Sequence, residues 1–471
     1  MRKYYWYFSA FLRKHGLVLL ASVVVAIIVF SIGLPFIIQL LDFKPKTYVG
    51  VVGYYNLASL PDDIQNQMSS GLTKVAADGS VSPNLSERWM VEDDGKTYRF
   101  LIKKNIHWQD GKYFTTDDVN YSFDRVQVIK TANEVVFKLP DPYAPFPMVV
   151  SRPLFRVVNE PYLIFFHRQK IIGLGKFQVS DYSEQNGHIS QLTISGDKEE
   201  FVYRFYFTEE DAINGFKRGE VDVLRDLSNP GDLAKWPTVN VSTLLDKKSV
   251  LSIFFNVDQK SVFNSKEIRQ ALNYALQKPT DESRALGPIS PVSWAFSNVG
   301  KNYDFDEGRA VERLLSNPPG DQLHFTLTTT PTFSAEADQI KRQWETLGKN
   351  AVSACQKSTT IKDKSLCPNM QIQVDIRINN FPDTGDFQVL LIGQELSTDP
   401  DQYALWHSGQ ETNFTNYSNT RIDSLLEKGR QVTDQKQRIT IYQDFQQFFS
   451  DDAPVIFMRY LNKFEIHRKG K

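Results

Sequence analysis

Histidine is the first residue type to test for chemistry, and it occurs seven times, at positions 15, 107, 167, 188, 324, 407 and 467. No two of these stand in H-E-x-x-H spacing, so the helical zinc site that presents two imidazoles and a glutamate base on one face is absent. The two cysteines, Cys355 and Cys367, are too few for an all-thiolate zinc centre, which needs four. No G-x-S-x-G elbow and no G-x-x-x-x-G-K-[ST] loop occurs. Gly173 and Gly175 open a G-x-G, but Gln178 stands where a dinucleotide-binding turn needs its third glycine. Carboxylate pairs able to work as a glycosidase dyad are expected by chance among 55 acidic residues, so they carry little weight. Asp93–Asp94–Gly95 and Asp110–Gly111 are the sequences of tight turns. The expectation is therefore a chain with no catalytic residues, no metal ligands and no cofactor.

The elements around these residues set the next constraint. The 54 Lys and Arg against 55 Asp and Glu give a net charge of −1, which argues against a nucleic-acid partner. At 41% hydrophobic and 23% charged residues, the 471-residue chain can bury a large core. Residues 17–41 form an uncharged apolar run that would span about 37 Å as a helix, more than a bilayer core of about 30 Å. Arg2, Lys3, Arg13 and Lys14 precede it and Lys44 and Lys46 follow, which places the N-terminus inside. The expectation is a cytoplasmic segment at 1–16, a single-pass anchor at 17–41, and the bulk of the chain extracytoplasmic. The run exceeds the apolar region of a cleaved signal, and no A-x-A follows it.

Beyond the anchor, short apolar strands alternate with amphipathic helices, the pattern of an α/β fold. Residues 201–207, 221–224, 251–257 and 387–393 read as strands. Thr208 is placed to cap a helix that Gly219 closes. Residues 266–277 have Ile268, Ala271, Leu272, Ala275 and Leu276 on one face. A helix is predicted over 334–347 with Gly348 beyond its end, and two more over 421–450, with Ile439, Tyr442, Phe445 and Phe449 facing inward. Residues 354–370 are polar and lysine-rich, and are expected to form an excursion loop closed by a Cys355–Cys367 disulfide. Two free thiols in a mobile loop are the alternative.

Four stretches resemble the extracytoplasmic solute-binding proteins of family 5, the dipeptide/oligopeptide-binding subunits of ABC importers. The densest is 72–126, where Asp78, Gly79, Pro83, Leu85, Trp89, Asp94–Lys96, Tyr98, Phe100, Trp108–Lys112, Phe114, Thr115, Asp118 and Val119 fall on the family pattern. Residues 171–182, with 215–224, resemble its G-x-G-P-Y strand and the G-E-x-D segment after it, with Lys176 in place of Pro. Residues 251–278 resemble its F-N…R-x-A-L-x-Y-A segment. The fourth stretch, 398–431 with 438–458, resembles its D-P and N-x-x-x-Y-x-N-x-x-x-D-x-L-L patterns and its last helix. The resemblance implies a two-lobed periplasmic-binding-protein-like fold, with lobe one and an extra subdomain at 47–255, lobe two at 256–455 and a short C-terminal return at 456–471.

The resemblance also implies a cleft and its ligand residues. Asp399 and Asp401 fall on the strand-end loop that faces the cleft in the family, with Glu395 beside them. Trp294 is expected to stack on a ligand or to pack in the core. Asn256 is expected near the hinge, and Tyr54 and Tyr55 near the end of the first strand. Peptide-binding members carry W-x-x-D ahead of the acidic-Pro pair, and that Asp anchors the peptide α-ammonium. Here the two positions are Gly393 and Leu396, and Glu395 is one residue off, on the opposite side of a strand. The chain also ends soon after the acidic-Pro turn, which suggests that lobe one lacks closing elements. The expected function is capture of an oligopeptide or similar small solute for ABC permease subunits. The alternative is a non-transport receptor on the same fold with a ligand other than a peptide.

Overall fold

The computed structural model describes residues 2–30, 44–163, 166–359 and 361–470. Helix α1 (Arg2–Ile28) takes in the first part of the apolar run. Among the described residues no helix is long and apolar enough to cross a membrane. Residues 31–41 of the expected anchor lie outside the described residues.

Strand β1 (Lys46–Val52) and helix α2 (Asp62–Met68) follow. Strands β2 (Thr73–Val75) and β3 (Val81–Pro83) then pair as a hairpin around Asp78–Gly79. Strands β4 (Ser86–Glu92), β5 (Thr97–Ile102), β6 (Gln127–Lys130) and β7 (Glu134–Lys138) make an antiparallel sheet in the order β4-β5-β7-β6. Asp93–Gly95 turns β4 into β5, as its sequence predicts. Tyr98, Phe100, Trp108, Phe137 and Phe146 fill the core of this unit, with Trp89 packed at its margin. The apolar residues of the 72–126 motif thus pack this core, and its Asp-Gly pairs make turns. Short helix α3 (Phe146–Val149) and the ribbon of β8 (Arg156–Leu163) and β9 (Phe166–Ile172) complete it.

A ten-stranded sheet organises the rest. Its first members are β10 (Gln178–Gln185), β11 (His188–Ser195) and β12 (Glu200–Tyr206), the last parallel to β1 from Lys46↔Glu200 to Val52↔Tyr206. Helix α4 (Glu209–Lys217) starts where predicted, with Thr208 accepting the Asp211 N–H. Strand β13 (Val223–Leu227) lies on the other side of β1. Strand β14 (Val239–Phe255) begins well before the predicted 251–257, because its polar first half pairs with the last strand, β18 (Val455–Arg468). Helices α5 (Lys266–Tyr274) and α6 (Glu307–Ser316), strand β15 (Leu323–Thr329), helix α7 (Ser334–Lys357), and strands β16 (Ile372–Ile378) and β17 (Val389–Glu395) come next. Helices α8 (Tyr403–Trp406), α9 (Thr420–Gln431) and α10 (Gln435–Asp452) precede β18. The sheet order is β10-β11-β12-β1-β13-β18-β14-β17-β15-β16.

The apolar runs of β14 and β17 follow from their position. Leu251, Ile253 and Phe255 face one core with α5 and α7, while Val250 and Phe254 face another with α9 and α10. A strand covered by helices on both faces has no polar side. Three expectations are corrected. Gly348 does not end its helix, which continues to Lys357. A Cβ at Gly348 would lie 2.4 Å from the Ile372 backbone nitrogen, so this glycine permits close helix-to-strand packing. The excursion loop is shorter than expected: Cys355 sits in the last turns of α7, Cys367 lies in a 3-10 turn, and the structure joins the two, both buried, as a disulfide. The short C-terminus does not leave the first part of the sheet open, because β18 reaches β13 through Val223↔His467 and Leu224↔Ile466.

Candidate functional site

A cavity of about 830 Å³ lies between α2, the β2–β3 hairpin and the α3 segment on one side, and β14 and the loop after β17 on the other. Its volume is in the range of small-molecule sites, roughly 300–1,000 Å³. Lys74, Arg152, Asp62 and Asn66 line the first wall; Lys248, Thr398, Asp399 and Asp401 line the second.

Asp399 is 7% exposed. Its carboxylate accepts the Asp401 N–H at 2.9 Å, and the Arg438 Nη2 lies 3.7 Å from it. Burial pushes the Asp399 carboxyl above its ordinary range, against the pull of the Arg438 charge. Arg438 projects from the inner face of α10, donates through Nε to the Gly429 carbonyl, and stacks 5.1 Å from the Trp294 ring. Asp401 receives Arg430 Nε at 2.8 and 3.1 Å, and its Oδ1 also accepts the Tyr403 N–H. The Arg430 guanidinium lies 4.0 Å over Tyr403 and 5.4 Å from Tyr143, and burial pushes the Tyr143 phenol up to about 12. Both aspartates thus already have a cation opposite them.

The two walls meet through backbone. The Ala144 N–H donates to the Arg430 carbonyl at 2.6 Å, and the Trp294 N–H to the Asp78 carbonyl at 2.8 Å. Gly79 has φ +80 and sits where a Cβ would be 2.4 Å from the Thr398 carbonyl oxygen. Glycine is required there twice, for its backbone region and for the close approach.

The remaining sequence-predicted residues lie elsewhere. Glu395 is exposed at the end of β17 and does not line the cavity. Leu396, at the position of the family's ammonium anchor, is 1% exposed in the core with Phe254 and Trp406. Trp294 packs against that core, half-buried beneath the wall. Asn256 donates to the Phe387 carbonyl and accepts from Asn416, beside a different hollow of about 460 Å³. Tyr55 donates its hydroxyl to the Val52 carbonyl, and the exposed Tyr54 ring lies tilted against His188, 3.6 Å between centroids, just beyond the end of β1. The sequence reading missed Lys74, Tyr143, Arg152, Lys248, Arg430 and Arg438. Only Arg438 carried a signal: it lies four residues before Tyr442, so it shares that inward face, where an arginine needs a buried partner. Among the described residues no cluster of metal-ligating groups occurs.

Residues 80–416 match the family model for bacterial extracellular solute-binding proteins, family 5. The chain is 25% identical over 469 residues to the oligopeptide-binding protein AppA of Bacillus subtilis (strain 168), covering 87% of this chain and 83% of that protein. The crystal structure of Bacillus subtilis AppA with a nonapeptide aligns with a TM-score of 0.61 at 23% identity, over 90% of this chain and 95% of that one. NikZ of Campylobacter jejuni in complex with Ni(L-His) aligns with a TM-score of 0.67 at 20% identity, over 90% and 94%. With the model matched over most of its length and the same fold in solved relatives, the chain belongs to the bacterial extracellular solute-binding proteins of family 5, and it is a binding protein and not an enzyme.

Proposed function

We propose that this protein captures an oligopeptide or a similar small solute by closure of two lobes, 47–255 and 256–455, and hands it to the permease subunits of an ABC importer. The observation that carries this reading is the cavity itself, lined from both sides of the chain and bridged by Ala144–Arg430 and Trp294–Asp78. Hinge closure on a ligand is the usual action of such paired units. One relative supports the cargo class twice over: AppA of Bacillus subtilis is named an oligopeptide-binding protein and was solved with a nonapeptide. Asp399 and Asp401 set the wall that the ligand meets.

The apolar run at 17–41 tethers the chain to the membrane with its N-terminus inside, which keeps the binding protein close to its permease and raises its effective concentration there. Carbonate extraction tests the tether: the full chain stays with membranes, and a chain lacking residues 1–43 is released. Thermal denaturation against a library of di- to decapeptides tests the capture. Saturation by a true ligand stabilises the native state by about 2.7 kcal/mol at a hundredfold excess over Kd. A chain that melts cooperatively and that no peptide shifts overturns the peptide reading.

A further inference from the structure

The charges on the cavity wall differ in one respect that bears on the ligand. The carboxylates of the second wall are matched, Asp399 by Arg438 and Asp401 by Arg430. The cations are not. Lys74 on β2, Arg152 after α3 and Lys248 on β14 come from three separate elements, line the same cavity and are exposed. None of the three has a carboxylate within ion-pair distance among the described residues. Among the described residues, Asp62 is the one acid on this lining without a cation within ion-pair distance. The position that would anchor an α-ammonium is a core leucine, Leu396, and the neighbouring Glu395 does not reach the lining.

From this arrangement we infer that the cavity selects a solute of net negative charge, rich in carboxylates, with Lys74, Arg152 and Lys248 taking its carboxylate oxygens. The inference rests on the binding-protein reading and names the ligand class of that site. The physical reasons are three. An unmatched cation in a concave, partly enclosed wall focuses positive potential and draws anions in. The planar guanidinium of Arg152 can hold a carboxylate through two parallel bonds, while the two ammoniums supply point charges from other directions. A cationic ligand finds no free partner on the second wall: to pair with Asp399 or Asp401 it must displace Arg438 or Arg430, and that leaves a guanidinium stranded in a largely buried place. An acidic peptide and a small polycarboxylate share this chemistry, and the probes below separate them.

The test is calorimetric titration of the purified full chain in detergent with triglutamate, citrate, trialanine and trilysine, each at low and moderate salt. Triglutamate or citrate is expected to bind more tightly than trialanine, trilysine is expected not to bind, and the affinity is expected to fall as salt rises. Arg152→Gln should weaken the anionic probe about tenfold, and Lys74→Gln and Lys248→Gln severalfold each, while all three variants melt with the parent because these side chains are exposed and unpaired. Tight binding of citrate with none of triglutamate supports the charge selection and overturns the peptide cargo. Trialanine or trilysine binding as tightly as triglutamate overturns the charge selection and leaves the peptide reading standing. So does an unchanged affinity in the Arg152→Gln/Lys248→Gln double variant. Binding of none of the four by a cooperatively melting chain overturns the charge selection, and the peptide reading falls with it only if no di- to decapeptide shifts the melt.

Discussion

The two walls of the cavity use charge in opposite ways. On the wall built from β17 and α8 to α10, each aspartate faces an arginine from a helix that follows it in sequence, and the arginines are themselves stacked on Trp294 and Tyr403. On the wall built from the β2–β3 hairpin and the α3 segment, Lys74 and Arg152 have no carboxylate within ion-pair distance among the described residues, and Lys248 on β14, across from them, shares that state. A matched, buried charge holds structure, and removing its partner is costly because the survivor keeps its desolvation penalty. An unmatched, exposed charge contributes little to stability and stays available to a ligand. The two walls should therefore separate when stability and affinity are measured side by side.

The largest effect belongs to the matched wall. Arg438→Met strands Asp399 in a buried site and should lower the unfolding free energy by about 3–5 kcal/mol, read by urea denaturation. A loss under 1 kcal/mol would mean that the pair at 3.7 Å holds nothing together. A change remote from both walls calibrates the scale. Replacing Cys355 and Cys367 by alanine should cost roughly 2–3 kcal/mol, yet leave affinity for any ligand unchanged, because the bridge ties α7 to the turn before β16.

The next effect is a pH dependence on the matched wall. Burial holds the Asp399 carboxyl above its ordinary value of 3.8, so the native state keeps that proton better than the unfolded chain does. The native state then binds more protons in the window that opens near pH 3.8, and its stability falls as pH rises through that window. The stability of the parent minus that of Asp399→Asn should accordingly decrease as pH rises from about 3.8 to the raised value, and level off above it. A difference that grows with pH would reverse the sign assigned here to burial over the Arg438 attraction. The smallest effect belongs to the unmatched wall. Arg152→Gln should change stability by less than about 0.5 kcal/mol. A large loss there would erase the contrast between the walls.

Part of this was legible in the sequence because it is local. Thr208 caps α4 through a bond to the amide three residues on, a site that can be read from residue type and spacing. The apolar runs of β14 and β17 announce strands covered on both faces. The density of family residues in 72–126 carried the resemblance, and the structure puts its apolar members, Leu85, Tyr98, Phe100, Trp108, Phe114 and Val119, into one core while its Asp-Gly pairs make turns. Gly348 misled because a glycine that stops a helix and one that lets a helix approach a strand look the same along the chain.

Residue type, alternation and caps determined the strands near 201–207, 221–224, 251–257 and 387–393, the starts of α4, α5, α7 and α9, and the absence of catalytic spacing, because those depend on neighbours a few positions away. Tertiary structure alone decided that β18 runs between β13 and β14. It also placed Arg438 against Asp399 across two intervening helices, α8 and α9, and Lys74, Arg152 and Lys248 around one cavity. Whether a charge is structural or free for a ligand depends on what folding puts opposite it, and no spacing along the chain encodes that distance.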